Sequence, residues 1–108
     1  MIVFTVWKSE DQYRGYELTG HAEFAESGQD IICAAVSALV INMINSVEEL
    51  TEDDYSVEQA TDGGFLRMEF EECLSEKARL LMDSLILGLK SIEAEYGNEY
   101  ITLITEEV

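Results

Sequence analysis

Apolar and polar positions follow regular periods along most of the chain, and these periods predict five strands. Residues 2–8 and 13–20 are predicted to be two strands, and the polar residues between them, Ser9-Glu10-Asp11-Gln12, predict a hairpin turn. Two further strands are expected at about 55–60 and 65–71. In the second of these, apolar residues alternate with charged ones, as in a strand with one buried face. Tyr100 to Thr105 predicts a last strand.

Two longer segments carry apolar residues at helical spacing. The first predicted helix covers 31–50, with Asp30 as its N-cap, so that Cys33 would lie in its first turn. Its stripe comprises Val36, Leu39, Val40, Met43, Ile44 and Val47. The second helix is predicted to begin at Ser75 and to end just before Gly97. Its stripe comprises Ala78, Leu81, Leu85, Leu89 and Ile92.

The order strand, strand, helix, strand, strand, helix, strand predicts an α+β fold over residues 1–108 as a single domain. One mixed sheet of about five strands, covered by two helices, is the natural packing of that order. Both helices carry more apolar side chains than contact with one sheet requires, which predicts a homodimer packed through helical faces. The surplus residues are Ile31, Ile41, Ile44, Leu80, Met82, Ile86 and Leu87.

Composition narrows the class of partner. The 108 residues include 6 basic and 23 acidic side chains, a net charge of −17, yet 47% are apolar, which indicates a folded protein. Such a surface repels nucleic acid and anionic membranes, and it suits a basic partner. The apolar start, Met1 to Trp7, has no basic region before it and is expected to be a strand rather than a signal peptide. We therefore expect a cytoplasmic protein with reduced thiols.

Metals and cofactors are not expected. One histidine and two cysteines cannot build an ordinary structural zinc site, and no glycine-rich phosphate loop or dinucleotide fingerprint is present. No EF-hand pattern occurs either, although a calcium site made of carboxylates alone stays open.

Cys33 and His21 are the residues most suited to chemistry. A thiol in the first turn of a helix lies near free N–H groups that favour thiolate, the form that attacks carbonyls. His21 is the sole imidazole, twelve positions earlier, and a loop over 22–29 could bring it beside Cys33 as a base. Alternatively, Cys33 is a buried helix residue and His21 is structural. The other thiol, Cys73, is a poorer nucleophile because neighbouring glutamates disfavour thiolate.

Four neighbouring residues have supporting roles to fill, each with a plainer alternative. Ser37 lies one helical turn after Cys33 and could hold the cysteine rotamer, meet substrate or bond a backbone carbonyl. Asp30 could orient His21 or only cap the helix. Gly20 and Gly28 bracket the loop and could act as hinges.

Two pieces of sequence resemble the signature of the ribosomal-processing cysteine proteases called Prp. They are Gly20-His21-Ala22 and Gly28-Gln29-Asp30-Ile31-Ile32-Cys33-Ala34-Ala35-Val36-Ser37-Ala38-Leu39, and neither departs from the pattern. The resemblance also extends to chain length and element order. It implies a cytoplasmic bacterial protease, usually a homodimer. The implied substrate is the N-terminal extension of a basic large-subunit ribosomal protein, the twenty-seventh in standard naming, cleaved after a Phe-Ala pair.

The resemblance also implies roles for individual residues. Cys33 would be the nucleophile and His21 its base, with Asp30 and Ser37 in support and Gly20 allowing the loop to move. The substrate flap is assigned to the loop on the residues Ala22, Glu23, Phe24 and Gly28. Free N–H groups at the helix start, including that of Cys33, are the candidate oxyanion hole.

Two other functions compete with proteolysis. One is a non-catalytic acidic module that binds a basic ribosomal protein, with Cys33 merely packed. The other is a redox-regulated thiol protein.

Overall fold

Five strands and two helices are present in the computed structural model, which describes residues 1–20, 27–61 and 64–108, without the side chains of 27–30. Their bounds are β1 Ile2–Ser9, β2 Gln12–Thr19, α1 Ser27–Leu50, β3 Tyr55–Gln59, β4 Phe65–Phe70, α2 Glu76–Tyr96 and β5 Ile101–Glu107. The α+β fold and the predicted element order are confirmed, and the predicted strand bounds differ from the observed ones by no more than a few residues.

The strands form one mixed sheet in the order β3-β4-β2-β1-β5. Neighbours are antiparallel except β1 and β5, which run parallel. At one end of the sheet, Val3 pairs with Thr19 and Thr19 with Phe65, while Ile2 lies opposite Ile101. We call this the Gly20 end, because β2 finishes there just before Gly20.

The hairpin between β1 and β2 turns through the two residues Glu10 and Asp11. Both have positive φ, 53° and 65°. Two consecutive left-handed residues define the turn whose twist matches that of paired strands. The predicted turn is therefore present.

An irregularity in β2 decides which side chains meet the helices. Trp7 pairs with Gly15 but Lys8 pairs with Tyr13, so Arg14 is an extra residue in β2. An extra residue reverses the alternation of faces. Tyr13 and Tyr16 consequently both lie on the helix side, where they are buried.

Each of these tyrosines meets one helix. The Tyr13 hydroxyl donates to Asp83 of α2, and the Tyr16 hydroxyl donates to the Val40 carbonyl of α1 at 3.5 Å. Burial raises the pKa of Tyr13 to about 12, with help from the Asp83 carboxylate, and burial also raises the pKa of Tyr16. Both hydroxyls thus stay protonated donors under ordinary conditions.

The core lies between the sheet and both helices. Four residues of the predicted α1 stripe are buried: Val36, Val40, Met43 and Val47. In α2, Ala78, Leu85 and Leu89 are buried as predicted. Although residues Ile31–Leu50 are long and apolar enough to span a bilayer, the core helix of a globular protein also meets that criterion.

Met82 is one of the residues counted above as surplus to contact with the sheet, and the structure places it in the core instead of on a free helical face. Its side chain is fully buried in the core, one residue after half-buried Leu81. Ile44 and Ile86 are half-buried and pack against the same core. The buried arc of each helix is therefore wider than the stripe alone indicates, because a helix seated between a sheet and a second helix is covered on two sides.

The predicted N-terminus of the first helix is also wrong. The helix α1 begins at Ser27, so Asp30 is inside it and is not its N-cap, and residues 27–29 are helical rather than loop. The missing apolar period over these residues predicted a loop. However, a helix that is already nucleated adds a turn without such a period, and one interior glycine, Gly28, costs only about 1 kcal/mol.

The start of α2 is capped as predicted and is also tied to the end of α1. The Ser75 hydroxyl accepts from the Ala78 N–H at 3.1 Å. Asp53 in turn accepts from the Ser75 N–H at 2.8 Å and from its hydroxyl at 2.5 Å. The Asp53 N–H donates to Thr51 Oγ1. One carboxylate thus fixes the α1–β3 connection against the first turn of α2.

Replacing Asp53 should therefore destabilise the fold more than replacing its neighbour. Partial burial alone would raise the pKa of Asp53, but the hydrogen bonds from Ser75 outweigh it and lower that pKa. We expect Asp53→Ala to lose about 1–2 kcal/mol of unfolding free energy at pH 7 in urea titrations. Asp54→Ala, at an exposed side chain, is the control.

The same carboxylate makes this contribution pH-dependent. Because folding lowers the pKa of Asp53, its stabilisation is present above the unfolded value near 3.9 and is lost as pH falls through the folded value. The difference between wild type and Asp53→Ala should shrink below about pH 4. An Asp53→Ala difference that is constant down to pH 2.5 would contradict the assignment.

Candidate active site

Cys33 lies on the boundary between the buried and exposed sides of α1. Its neighbours Ile32 and Val36 are buried, whereas Ile31 and Ala34 are exposed. The Cys33 thiol is free, half-buried and packed against the core. It is thus held in place on one side and accessible on the other, as a nucleophile must be.

The helix start places Cys33 differently from the sequence prediction. Because α1 begins at Ser27, Cys33 is six residues further on, beyond the first turn. Its N–H belongs to the helical ladder, because the N–H groups without a ladder partner are confined to the start of the helix. The prediction that the Cys33 N–H contributes to an oxyanion hole is therefore wrong, and so is the first-turn argument for a thiolate, since that effect fades within one turn.

Gly20 is fixed by three features at the end of β2. Its φ is +85°, and its N–H donates to the Gly64 carbonyl at 3.0 Å. A Cβ added there would lie 2.1 Å from the Met1 carbonyl oxygen. Glycine is thus required by backbone conformation and by close packing. The hinge role of Gly20 remains a prediction. These contacts explain why glycine is needed at this position whether or not it acts as a hinge.

The structure describes only some of the predicted site residues. Ser37 is exposed on α1, one turn after Cys33 and on the same side of the helix. The residues His21, Ala22, Glu23 and Phe24 lie outside the described residues. Asp30 and Gly28 both belong to α1, so the backbone of Gly28 is helical rather than part of the predicted loop, and its assignment to the substrate flap stays a prediction.

Cys73 lies at the opposite end of the sheet from the Gly20 end, after the last residue of β4. Its thiol is free and exposed, and it lines an open depression with Glu52, Asp54 and Glu72. The two cysteines therefore occupy contrasting surroundings, and only Cys33 is anchored against the core.

Within the described residues, no group of three histidine, cysteine or acidic side chains is arranged to hold a metal ion.

Comparison with known proteins defines the class as cysteine proteases. The family model described as Cysteine protease Prp matches residues 1–102, so the chain belongs to the Prp family. The ribosomal processing cysteine protease Prp of Bacillus subtilis is 40% identical over 101 residues, covering 89% of this chain and 90% of the relative. The protein of that name from Staphylococcus aureus is 31% identical over 86 residues, covering 80% of both.

Solved structures agree with this assignment. The S. aureus protease Prp in complex with a covalently linked product peptide superposes with a TM-score of 0.88 at 28% identity, covering 98% of this chain and 100% of the other. SMU.848 from Streptococcus mutans superposes with a TM-score of 0.89 at 31% identity, covering 100% and 99%. The resemblance read from the sequence is thus confirmed at the level of family.

Sequence reasoning missed two structural features of the site. The sequence contains one indication that the helix begins before Asp30, because Ser27 is a residue type favoured at helix starts. The local sequence contains no indication that Gly20 packs on Met1, because these two residues meet only when β1 and β2 pair.

Alanine at Gly20 and at Gly28 should have opposite effects on stability. Gly20→Ala forces a side chain into the left-handed region and against the Met1 carbonyl, so we expect a loss of at least about 1–3 kcal/mol. Gly28→Ala, inside α1, should instead gain up to about 1 kcal/mol. Urea unfolding of both variants measures this directly. A destabilised Gly28→Ala would argue against the helix start at Ser27.

Proposed function

We propose that this protein is a cytoplasmic cysteine endopeptidase that removes the N-terminal extension of a large-subunit ribosomal protein, the twenty-seventh in standard naming. Cys33 is the nucleophile and His21 the base. The observation that carries the proposal is the half-buried Cys33 thiol, anchored on α1 in a chain of the Prp family. Support for a peptide substrate comes from the S. aureus relative, which has been solved with a substrate peptide and with a covalently linked product peptide.

The proposed reaction is acyl transfer in two steps. The Cys33 thiolate attacks the scissile carbonyl carbon, and the carbon–nitrogen bond breaks as His21 gives a proton to the leaving amine. Water then attacks the thioester carbon while His21 takes a proton from it, and the carbon–sulfur bond breaks, which releases the carboxylic acid product and restores the Cys33 thiolate beside protonated His21. No step requires a metal or a cofactor.

The location of Gly20 supports the pairing of these two residues. The helix α1 is joined to β2 through the segment that follows Gly20, at the Gly20 end of the sheet. His21 directly follows this fixed glycine in the chain. In this proposal Gly20 anchors the chain directly before the base, and exposed Ser37 borders the bound substrate one turn beyond Cys33.

Charge supports a basic partner. The net charge of −17 gives the protein an electrostatic attraction for a cationic ribosomal protein and a repulsion from ribosomal RNA. The electrostatic field of the whole protein thus favours a cationic partner before the N-terminal extension of that partner reaches Cys33.

We also propose a homodimer through the outer surface of the helices. Four large apolar residues face solvent there: Ile31 (59% exposed), Ile41 (47%), Leu80 (68%) and Leu87 (68%). The exposed positions between them are Ala34, Ser37 and Ala38 on α1, and Ser84 and Asp83 on α2, where the Asp83 carboxylate accepts from the Tyr13 hydroxyl. A largely apolar surface on so acidic a protein suits contact with a second copy of itself.

Substituting Cys33 or His21 should stop cleavage of the extended ribosomal protein without unfolding the chain. We expect Cys33→Ala to abolish the reaction and His21→Ala to slow it at least about 100-fold, because a general base contributes 10²–10⁴. Cys73→Ser, a change at the exposed second thiol, is the matched control and should retain activity. The readout is the mass of the substrate's amino terminus after incubation.

Three results, from cleavage, binding and alkylation measurements, would contradict the proposal. Full cleavage by Cys33→Ala or His21→Ala would refute the assigned roles. Tight binding of the extended protein with no cleavage by the wild type would indicate a binding module. A thiol that is alkylated readily at pH 6 without any cleavage would favour a redox role.

A charged residue on the outer helical surface should separate the dimer. Leu87→Glu would bury a carboxylate between the two copies, so we expect monomers at micromolar concentration in light scattering. Val57→Glu is the control, because Val57 is also an exposed apolar residue but lies on the edge strand β3. A monomeric wild type would refute the dimer.

A further inference from the structure

A small apolar cavity lies between α2 and the β1–β5 side of the sheet, away from Cys33. Its volume is about 130 Å³, and it is partly open to solvent. Phe4, Val6 and Leu103 of the sheet line it on one side, and Ile86 and Leu89 of α2 on the other. Because β5 is an edge strand, a ligand can enter beside it without displacing a helix.

Two of the six basic residues of this acidic chain also line the cavity, Lys8 and Lys90. The Lys8 Nζ lies 4.9 Å from the centre of the Tyr13 ring, and the Tyr13 hydroxyl is fixed by its bond to Asp83. Among the residues that the structure describes, the ion pairs belong to Arg67, so neither lysine is neutralised by a carboxylate contact. The cavity thus combines apolar walls with two available ammonium groups.

The size of the cavity limits the ligand to one ring or one branched alkyl group. Apolar cavities of about 150 Å³ accept benzene. The two lysines then provide the partner for a single carboxylate. Glu107 lies opposite Lys8 in the β1–β5 register, so a second negative charge on the ligand would be repelled.

We infer that this cavity binds a small apolar monocarboxylate, with its ring or branched chain between α2 and the sheet and its carboxylate at Lys8 and Lys90. This inference does not depend on the proposed proteolysis, because Cys33 does not line the cavity.

Titration with phenylacetate, followed by methyl resonances of Ile86, Leu89 and Leu103 in NMR spectra, tests the inference. We expect saturable shifts at these methyls. Phenylacetamide has the same shape without the charge and should bind at least about tenfold more weakly, since it lacks a charge-assisted contact. N-acetylglycylphenylalanine, a peptide end with the same ring and carboxylate, should also bind more weakly because its backbone exceeds the cavity.

Variants distinguish binding in the cavity from a general attraction of the carboxylate to basic residues. Lys90→Gln, a change at an exposed position, should weaken phenylacetate binding about tenfold. Lys77→Gln, on the same helix but outside the cavity, should leave it unchanged. Leu103→Phe should fill the cavity and abolish binding. Absence of saturable shifts, equal binding of the amide, tighter binding of the peptide or equal effects of the two lysine variants would each overturn the inference.

Discussion

The fit of α1 onto the sheet is the contact on which the rest of the molecule depends. Phe4 and Tyr16 lie on neighbouring strands with ring centres 5.1 Å apart, and they form an aromatic floor under the helices. The Tyr16 hydroxyl reaches the Val40 carbonyl, and Met43 lies 3.9 Å away through its sulfur. This floor sets the rotation of α1 about its axis, and that rotation decides which residues become core and which become site. Successive helix residues are about 100° apart, so a small rotation would bury Cys33 or expose it completely.

In the part of the chain that the structure describes, the face of the sheet opposite the helices is protected by polar stacking. Arg67 lies 4.6 Å from the Trp7 ring, across β2 from β4 to β1. Gly15 allows this approach, since it places no side chain between Trp7 and Glu69 in the same row. A Cβ at Gly15 would lie 2.2 Å from the Met68 carbonyl oxygen. The guanidinium also bonds Glu69 at 2.6 Å, so a large aromatic surface is shielded while charges face the water.

Local patterns were sufficient to predict the elements whose limits are encoded by adjacent residues. The alternation around Met68 gave β4, and Ser75 and Gly97 marked both ends of α2. Features that depend on distant segments could not be obtained in this way. The extra residue at Arg14 depends on the pairing of β1 with β2, and burial of Met82 depends on how α2 sits beside α1. The candidate nucleophile Cys33 was found because its residue type and helical position are local properties, whereas its half-buried state follows from packing.

The corrected start of α1 changes the physical basis of the proposed chemistry. Had Cys33 been in the first turn, the helix end itself would have supplied part of the stabilisation of a thiolate. With Ser27 as the first residue, Cys33 lies beyond the reach of that effect, and its N–H is taken up by the helix. The remaining group in the chain that can accept a proton from a thiol near neutral pH is the single imidazole, His21. The carboxylates that dominate the surface cannot replace it, because a nearby negative charge opposes thiolate formation. In the proposed mechanism, the longer helix therefore leaves the activation of Cys33 to His21.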